Sequence, residues 1–396
     1  MVEIATIATF LIAAMASLFM AWSIGAGSSG STPFAPAVGA NAISVMRAGF
    51  LVGILGLAGA VLQGQNVSEA MGRELIAGVS LTPAAVTIAL TLAAVLVAIG
   101  VFAGYPIATA FTSTGAVIGV GLALGGDPAW LKYAEIATMW TLTPFVGGFS
   151  AYLIARALRD EPVPERVVVI GLSGLVGVLV ANIEFAVLGS DGDGASIAAA
   201  VGAFLPGPVA AGIFVVTAAV ALGWVVPTAI GMRNDPVRTE RRFLLVMGAL
   251  VAFSAGGSQV GLAVGPLVPL GDDAGIPLFA LLAGGGVGLL VGSWTGAPRM
   301  IKAIAQDYSS LGPRRSIAAL IPSFALAQVA VLFGIPVSFN EIVVSSIIGS
   351  GYAAVGAGGG VSGRKMAFTV LAWFLSFVGA LLLSFGAFWT FEFLFA

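Results

Sequence analysis

The 396-residue chain contains no cysteine and no histidine. Their absence removes thiol nucleophiles, disulfides, Ser-His-Asp relays, zinc sites and the usual axial haem ligands together. Charge is scarce as well: 9% of residues are Asp, Glu, Lys or Arg, against about a quarter in an ordinary soluble domain. Such a chain cannot cover itself with a water-facing surface, and with 59% hydrophobic residues it reads as an integral membrane protein whose main partner is the lipid bilayer. A membrane enzyme is disfavoured, because the apolar stretches hold no clustered carboxylate pair, and nothing points to nucleic acid. A cleavable leader is not evident, since Glu3 rather than a basic residue precedes the first apolar stretch.

What is present is a series of apolar stretches near the roughly 20 residues that a helix needs to cross hydrocarbon. About twelve are read, at 4–23, 44–63, 83–103, 107–125, 133–155, 167–188, 197–228, 243–264, 278–295, 318–334, 337–354 and 367–391. The basic residues test this count independently. If the N-terminus is outside and each stretch crosses once, Arg47, Arg156, Arg159, Arg166, Arg233, Arg238, Arg241, Arg242, Arg299, Lys302, Arg314, Arg315, Arg364 and Lys365 share one side, while Arg73 and Lys132 lie opposite. The positive-inside rule makes the crowded side the cytoplasm and puts both termini outside a cell membrane. The acidic pairs Asp191 with Asp193 and Asp272 with Asp273 then belong to outer loops.

The sequence also repeats itself. "GYPIATAFTSTGAVIGVG" from Gly104 stands against "GIPVSFNEIVVSSIIGSG" from Gly334, sharing Gly104/Gly334, Pro106/Pro336, Gly119/Gly349 and Gly121/Gly351 in register. "AWSIGAGSS" at 21–29 matches "AFSAGGSQV" at 252–260, and Leu81 with Pro83 matches Leu311 with Pro313. The organisation expected is a first repeat at 1–155, a connecting region with two transmembrane helices at 156–242, and a second repeat at 243–396. Five stretches per repeat with two between them invert the second copy. The fold class is thus an all-α polytopic membrane protein in two inverted repeats with broken or re-entrant helices at the midplane, the construction of secondary transporters.

The repeated stretches have a chemical reading. Gly-x-Pro followed by Ala108-Thr109 or by Ser338 starts a helix inside the apolar layer, where its free N–H groups and positive dipole end need a partner. "GAGSSGSTPFAP" at 25–36 and "SAGGSQVGLAVGPL" at 254–267 have the same glycine- and hydroxyl-rich character. Four such segments converging describe a site for a small anion with oxygen corners. Small residues also serve helix packing, which is the competing reading for Ser28, Ser29, Ser31, Thr32, Thr112, Ser113, Thr114 and Ser345, and equally for Thr109, Ser258 and Ser338. The candidate substrate ligands are Ser28, Ser29, Thr109, Ser258, Gln259, Ser338 and Asn340. Glu341, a carboxylate within an apolar stretch, is the candidate coupling residue, because ionisable groups at membrane depth face cavities and serve function. Glu184, in the sixth stretch, follows the same logic outside the repeat.

With these residues in view, the chain resembles the PiT-type inorganic phosphate transporters. Gly334-Ile335-Pro336-Val337-Ser338 with Gly349 and Gly351 matches the late signature of that family, as do Gly104, Pro106, Thr109, Gly119 and Gly121; Gly265-Pro266-Leu267 stands where the early signature ends, and "SLGPRRSIAAL" belongs to the likeness. The departures matter too. Gly27-Ser28 and Ser258-Gln259 stand where the family has Asn-Asp, and Phe339, Asn340 and Glu341 replace Thr, Thr and His. The same pattern also resembles the sulfate permease branch. The resemblance implies a secondary-active permease for a small inorganic oxyanion with sodium or proton as coupling ion, no cofactor or metal, and room for a homodimer. A site of donors alone favours sulfate, whereas Glu341 offers an acceptor for a phosphate proton. Phosphate is placed first, sulfate second, and an anion channel is the more distant alternative.

Overall fold

In the computed structural model the described residues are 4–159, 163–189, 194–307, 311–353 and 363–395. They form α1 (Ile4–Gly27), α2 (Ala35–Gly39), α3 (Val45–Gln63), α4 (Gln65–Glu69), α5 (Pro83–Ala103), α6 (Thr109–Ala123), α7 (Trp130–Ala157), α8 (Glu165–Asn182), α9 (Ile197–Gly202), α10 (Val209–Asn234), α11 (Pro236–Val264), α12 (Val268–Asp273), α13 (Leu278–Thr295), α14 (Ala297–Asp307), α15 (Pro313–Leu332), α16 (Phe339–Tyr352) and α17 (Gly363–Phe395). Two antiparallel pairs of two-residue strands complete the regular structure, Ile76–Ala77 with Asp127–Pro128 and Glu184–Phe185 with Ala195–Ser196.

Each apolar stretch read from the sequence contains helix, although the one at 167–188 leaves it at Asn182. Among the described residues, 9 helices are long and apolar enough to cross a membrane. α6 and α16 are apolar but have 15 and 14 residues, about 22 and 21 Å at 1.5 Å per residue, short of the roughly 30 Å of a hydrocarbon core. Each is preceded by non-helical chain, so both are broken segments. The stretch expected at 197–228 divides into α9 and α10, because Pro206-Gly207-Pro208 interrupts it and Gly207 takes a positive φ of 112°. Asp191 and Asp193 lie outside the described residues.

The packing is reciprocal under the repeat offset, which carries α1 onto α11, α3 onto α13, α5 onto α15, α6 onto α16 and α7 onto α17. α1 packs on α13 and α11 on α3; α6 packs on α17 and α16 on α7; α5 meets α6 as α15 meets α16. The partners are mostly drawn from opposite halves, so neither half closes a core alone. Glycine permits the closest crossings: a Cβ on Gly256 would stand 1.9 Å from the Gly56 carbonyl oxygen, and one on Gly349 would stand 1.9 Å from that of Gly148. Backbones approach there as small residues allow in membrane bundles. α8, α9 and α10 pack on one another and reach the core through α11.

The centre of the molecule is where the repeats meet. Residues 109–121 of α6, 254–264 of α11 and 339–351 of α16 are buried without interruption. A helix buried all round presents its polar side chains to protein rather than to water. Those side chains are the ones the repeat motif singled out.

Candidate functional site

The entry to α6 is built as its sequence demands. Gly104, at φ 75°, ends α5 in a left-handed cap, an extended run carries Pro106, and helix resumes at Thr109. The second copy repeats the device: Gly334 has φ 59°, Pro336 follows, and Ser338 is the N-cap of α16. In both, the last helix of the other half holds the lead. The Trp373 indole N–H donates to the Pro106 carbonyl at 3.0 Å, and the Trp140 indole N–H donates to the Pro336 carbonyl at 2.7 Å. Trp140 also stacks on Phe111, with ring centroids 3.7 Å apart.

Gln259 joins the two leads. Its side-chain carbonyl accepts from the Thr109 hydroxyl at 2.7 Å and the Ser28 hydroxyl at 3.4 Å, and its amide donates to the Val337 carbonyl at 2.6 Å. Asn340 closes the circuit by donating to the Ile107 carbonyl at 2.6 Å. Thus α6, α11, α16 and the turn after α1 share one buried polar centre. Nearby, the Ser113 hydroxyl donates to the Leu262 carbonyl.

Several polar atoms here have no partner. Among the described residues, buried side-chain oxygens or nitrogens without a hydrogen bond are Ser258 Oγ, Ser338 Oγ, Asn340 Oδ1, Glu341 Oε2 and Thr143 Oγ1. An orphaned buried polar group costs about 1–3 kcal/mol, and native structures keep few of them. Four of the five belong to residues singled out from the sequence. Glu341 is 2% exposed and is the only carboxylate or cation in α6, α16 and residues 254–264. The arrangement offers hydroxyls and amides as donors, and one carboxyl that can take or give a proton.

The structure corrects the sequence reading in three respects. Residues 254–264 do not break: α11 runs uninterrupted to Val264, so Ser258 and Gln259 project from a continuous helix and add no free N-terminus. Glycine lowers helix propensity by only about 1 kcal/mol, and the first proline is Pro266. In the first half the break is real, because the hydroxyls of Ser31 and Thr32 turn back onto the Gly27 and Ser28 carbonyls ahead of Pro33. Ser29 is buried, but its hydroxyl contacts only the Ile24 carbonyl, at 3.5 Å, and does not join the circuit. Glu184 is not within an apolar helix. It follows α8 in a strand pair with Ser196, half-buried, and its backbone carbonyl accepts from Gln63.

Sequence reasoning missed Trp140 and Trp373, although their separation of 233 residues lies close to the repeat offset and would have paired them. It also missed a second buried amide pair. Gln63 and Gln328 exchange hydrogen bonds at 3.2 and 3.1 Å, and Gln328 donates to Ser254 at 2.6 Å.

A multi-pass helical membrane protein with a small buried centre of hydroxyls, amides and one carboxyl is the class that fold and site define. Residues 24–384 match the model of the phosphate transporter family, and the chain belongs to that family. A relative from Pyrococcus furiosus, assigned by name to the phosphate permeases, is 26% identical over 384 residues, covering 87% of each chain. The inorganic phosphate transporter 2-1, chloroplastic, of Arabidopsis thaliana is 26% identical over 382 residues, 85% of this chain and 64% of its own. A protein of solved structure named the sodium-dependent phosphate transporter shares the fold, with a TM-score of 0.81 at 21% identity over 98% of this chain and 99% of that one.

Proposed function

We propose that this chain is a secondary-active permease for inorganic phosphate, working by alternating access between inverted repeats at 1–155 and 243–396, with 156–242 as the connector and both termini outside the cell membrane. One observation carries the reading. Ser338, Ser258, Asn340 and Glu341, which adjoin in sequence or belong to the circuit of Val337, Gln259 and Asn340, carry buried polar atoms without a partner. An oxyanion bound there accepts from the unpartnered hydroxyls of Ser338 and Ser258, with Thr109 and Ser28 turning to it from Gln259, and its proton finds an acceptor in Glu341 or the Asn340 side-chain carbonyl. Sulfate at neutral pH brings no such proton, and the named relatives are phosphate proteins, so phosphate stands ahead of it.

Coupling follows from Glu341. Ionised, it repels a neighbouring anion; protonated, it does not, so proton and phosphate are favoured together and transport rises as external pH falls. Sodium, on which the structural relative depends by name, is the alternative, since the oxygens of Ser338, Asn340 and Glu341 are hard ligands. The experiment is uptake of labelled phosphate and labelled sulfate by the same proteoliposomes under an imposed proton or sodium gradient. Proton-driven accumulation of phosphate is expected. Flux that follows voltage without counterflow would make the protein a channel, and accumulation of sulfate alone would reverse the substrate.

A further inference from the structure

The repeat offset carries α14 back onto residues 67–77, which hold the end of α4 and a single π-helical turn, Ala70–Glu74. It also carries the 3-10 turn Gly265–Leu267 onto the start of α2. The equivalent pieces pack alike across the halves: α14 rests on α2, and the π turn rests on Gly265–Leu267. Both seats follow closely on the polar centre, α2 seven residues after Ser28, and Gly265 six residues after Gln259, about 9 Å along the helix. Each end of the centre is thus capped by a short segment from the opposite half. The cap that bears Arg73 faces outside in the topology proposed above.

This outer cap is seated backbone on backbone: a Cβ on Gly72 would stand 2.3 Å from the Gly265 carbonyl oxygen. Met71, fully buried, fills the space between seat and α6, where the Thr114 hydroxyl donates to its sulfur at 3.7 Å. A cavity of about 180 Å³, lined by Met71, Arg73, Ser80, Val117 and Pro269, leaves the cap unpacked on one side. Charge fastens the rest. Arg73 pairs with Glu69 at 2.7 Å and with Asp272 of α12, and Lys132 pairs with Glu74 at 2.8 Å. The Tyr133 hydroxyl donates to the Leu75 carbonyl at 2.7 Å. Glu69, Glu74, Lys132 and Tyr133 all belong to the first half and travel with the cap. A motion between the halves therefore leaves their bonds intact and breaks Arg73–Asp272, which, of the ion pairs between described residues, is the one that joins the two repeats. Both of its side chains are about half exposed, where an ion pair is weak and readily exchanged for water. The π turn, a form concentrated at functional sites, carries the arginine.

We propose that residues 65–74 are the outer gate of the permeation path, that the gate parts from Gly265–Leu267 when the halves move, and that Arg73–Asp272 is its latch. The proposal rests on the alternating-access reading. The test uses the full chain, which has no native cysteine, with Val268→Cys as reporter: Val268 is 2% exposed, and its Cβ stands 3.3 Å from the one Gly72 would carry. In right-side-out vesicles a membrane-impermeant maleimide should label this cysteine slowly. Asp272→Asn should speed the labelling about two- to fivefold, the worth of an exposed pair, whereas Asp272→Glu, which keeps the charge, should leave it near the parent rate. In a second arm, Arg73→Cys with Asp272→Cys joined from outside by a short bifunctional maleimide should stop uptake of labelled phosphate, and a monofunctional maleimide on the same variant should not. A labelling rate that Asp272→Asn leaves unchanged, or uptake that survives the cross-link, overturns the proposal. The cross-link is made on folded protein, so that arm stands even if Asp272→Asn does not fold. Should the parent chain take up no phosphate at all, the transport reading falls, and the labelling arm still reads the gate.

Discussion

Gln259→Leu is the sharpest test of the buried circuit. It keeps the side chain near its volume and strands two groups, the Thr109 hydroxyl and the Val337 carbonyl, which now lie 2.7 and 2.6 Å from the Gln259 amide. At about 1–3 kcal/mol for each stranded group, the variant should lose roughly 2–6 kcal/mol of stability. Thr109→Val strands the Gln259 carbonyl, leaving it only the 3.4 Å contact from Ser28, and should cost about 1–3 kcal/mol. In the double variant the Thr109 hydroxyl no longer exists to be stranded. The Gln259 carbonyl is gone there as well, so only the Val337 carbonyl stays stranded, and the summed single penalties should exceed the double penalty by about 2–6 kcal/mol. Unfolding of the purified protein in mixed micelles of rising denaturing-detergent fraction, followed by tryptophan fluorescence, measures all four corners of the cycle. Penalties that add to within about 0.5 kcal/mol would refute the circuit as an energetic unit.

Four further outcomes are expected. Glu341→Gln, which mimics the protonated carboxyl, should still exchange labelled for unlabelled phosphate yet fail to accumulate it under a proton gradient; retained accumulation would exonerate Glu341. Ser338→Val removes a donor from a buried anion and should weaken apparent phosphate affinity about tenfold or more, from roughly 1.5–3 kcal/mol for a charge-assisted bond; an unchanged affinity would return Ser338 to packing. Because the chain has no native cysteine, single cysteines at Val237 and Asp273 should label from the inside and the outside respectively, and labelling of both from one side would break the inverted arrangement. Gly256→Ala drives a methyl toward the Gly56 carbonyl and should cost about 1–3 kcal/mol, while Gly56→Ala, whose added Cβ meets nothing within 4 Å, should be near neutral in the same mixed-micelle assay.

Much of the site was legible because turn chemistry is local. The helix starts read from Gly104-x-Pro106 and Gly334-x-Pro336 are present, and the structure adds the left-handed glycine and the extended lead in which each proline stands. Glu341 stood out because a carboxyl in an apolar run is costly to place there, and the structure buries it with Oε2 unpartnered. The Ser254–Leu267 stretch misled because glycine content resembles a break, although a helix held by neighbours on several sides tolerates glycine and yields only to proline. The indole bonds of Trp140 and Trp373 could not be read from composition, since a tryptophan in a membrane helix looks the same whether it faces lipid or a carbonyl. The Gln63 and Gln328 pair depends on two helices 265 residues apart becoming neighbours, which no local pattern states.

The exchange of partners between the halves also sets a timetable for biosynthesis. The Pro106 carbonyl, at the mouth of α6, waits for an indole 267 residues downstream. At about 5–20 residues per second, that donor is made roughly 13–50 s later. Through that interval the first half sits in the bilayer with its re-entrant lead unclamped, and α6 lacks the α17 surface on which it finally packs. The Pro336 lead never waits, because Trp140 is already in place when it emerges. The second half is therefore assembled on a prepared template, and the first is completed only when the last helix arrives. A chain truncated before α17 should accordingly be recognised by membrane quality control as unfinished at its beginning rather than at its end.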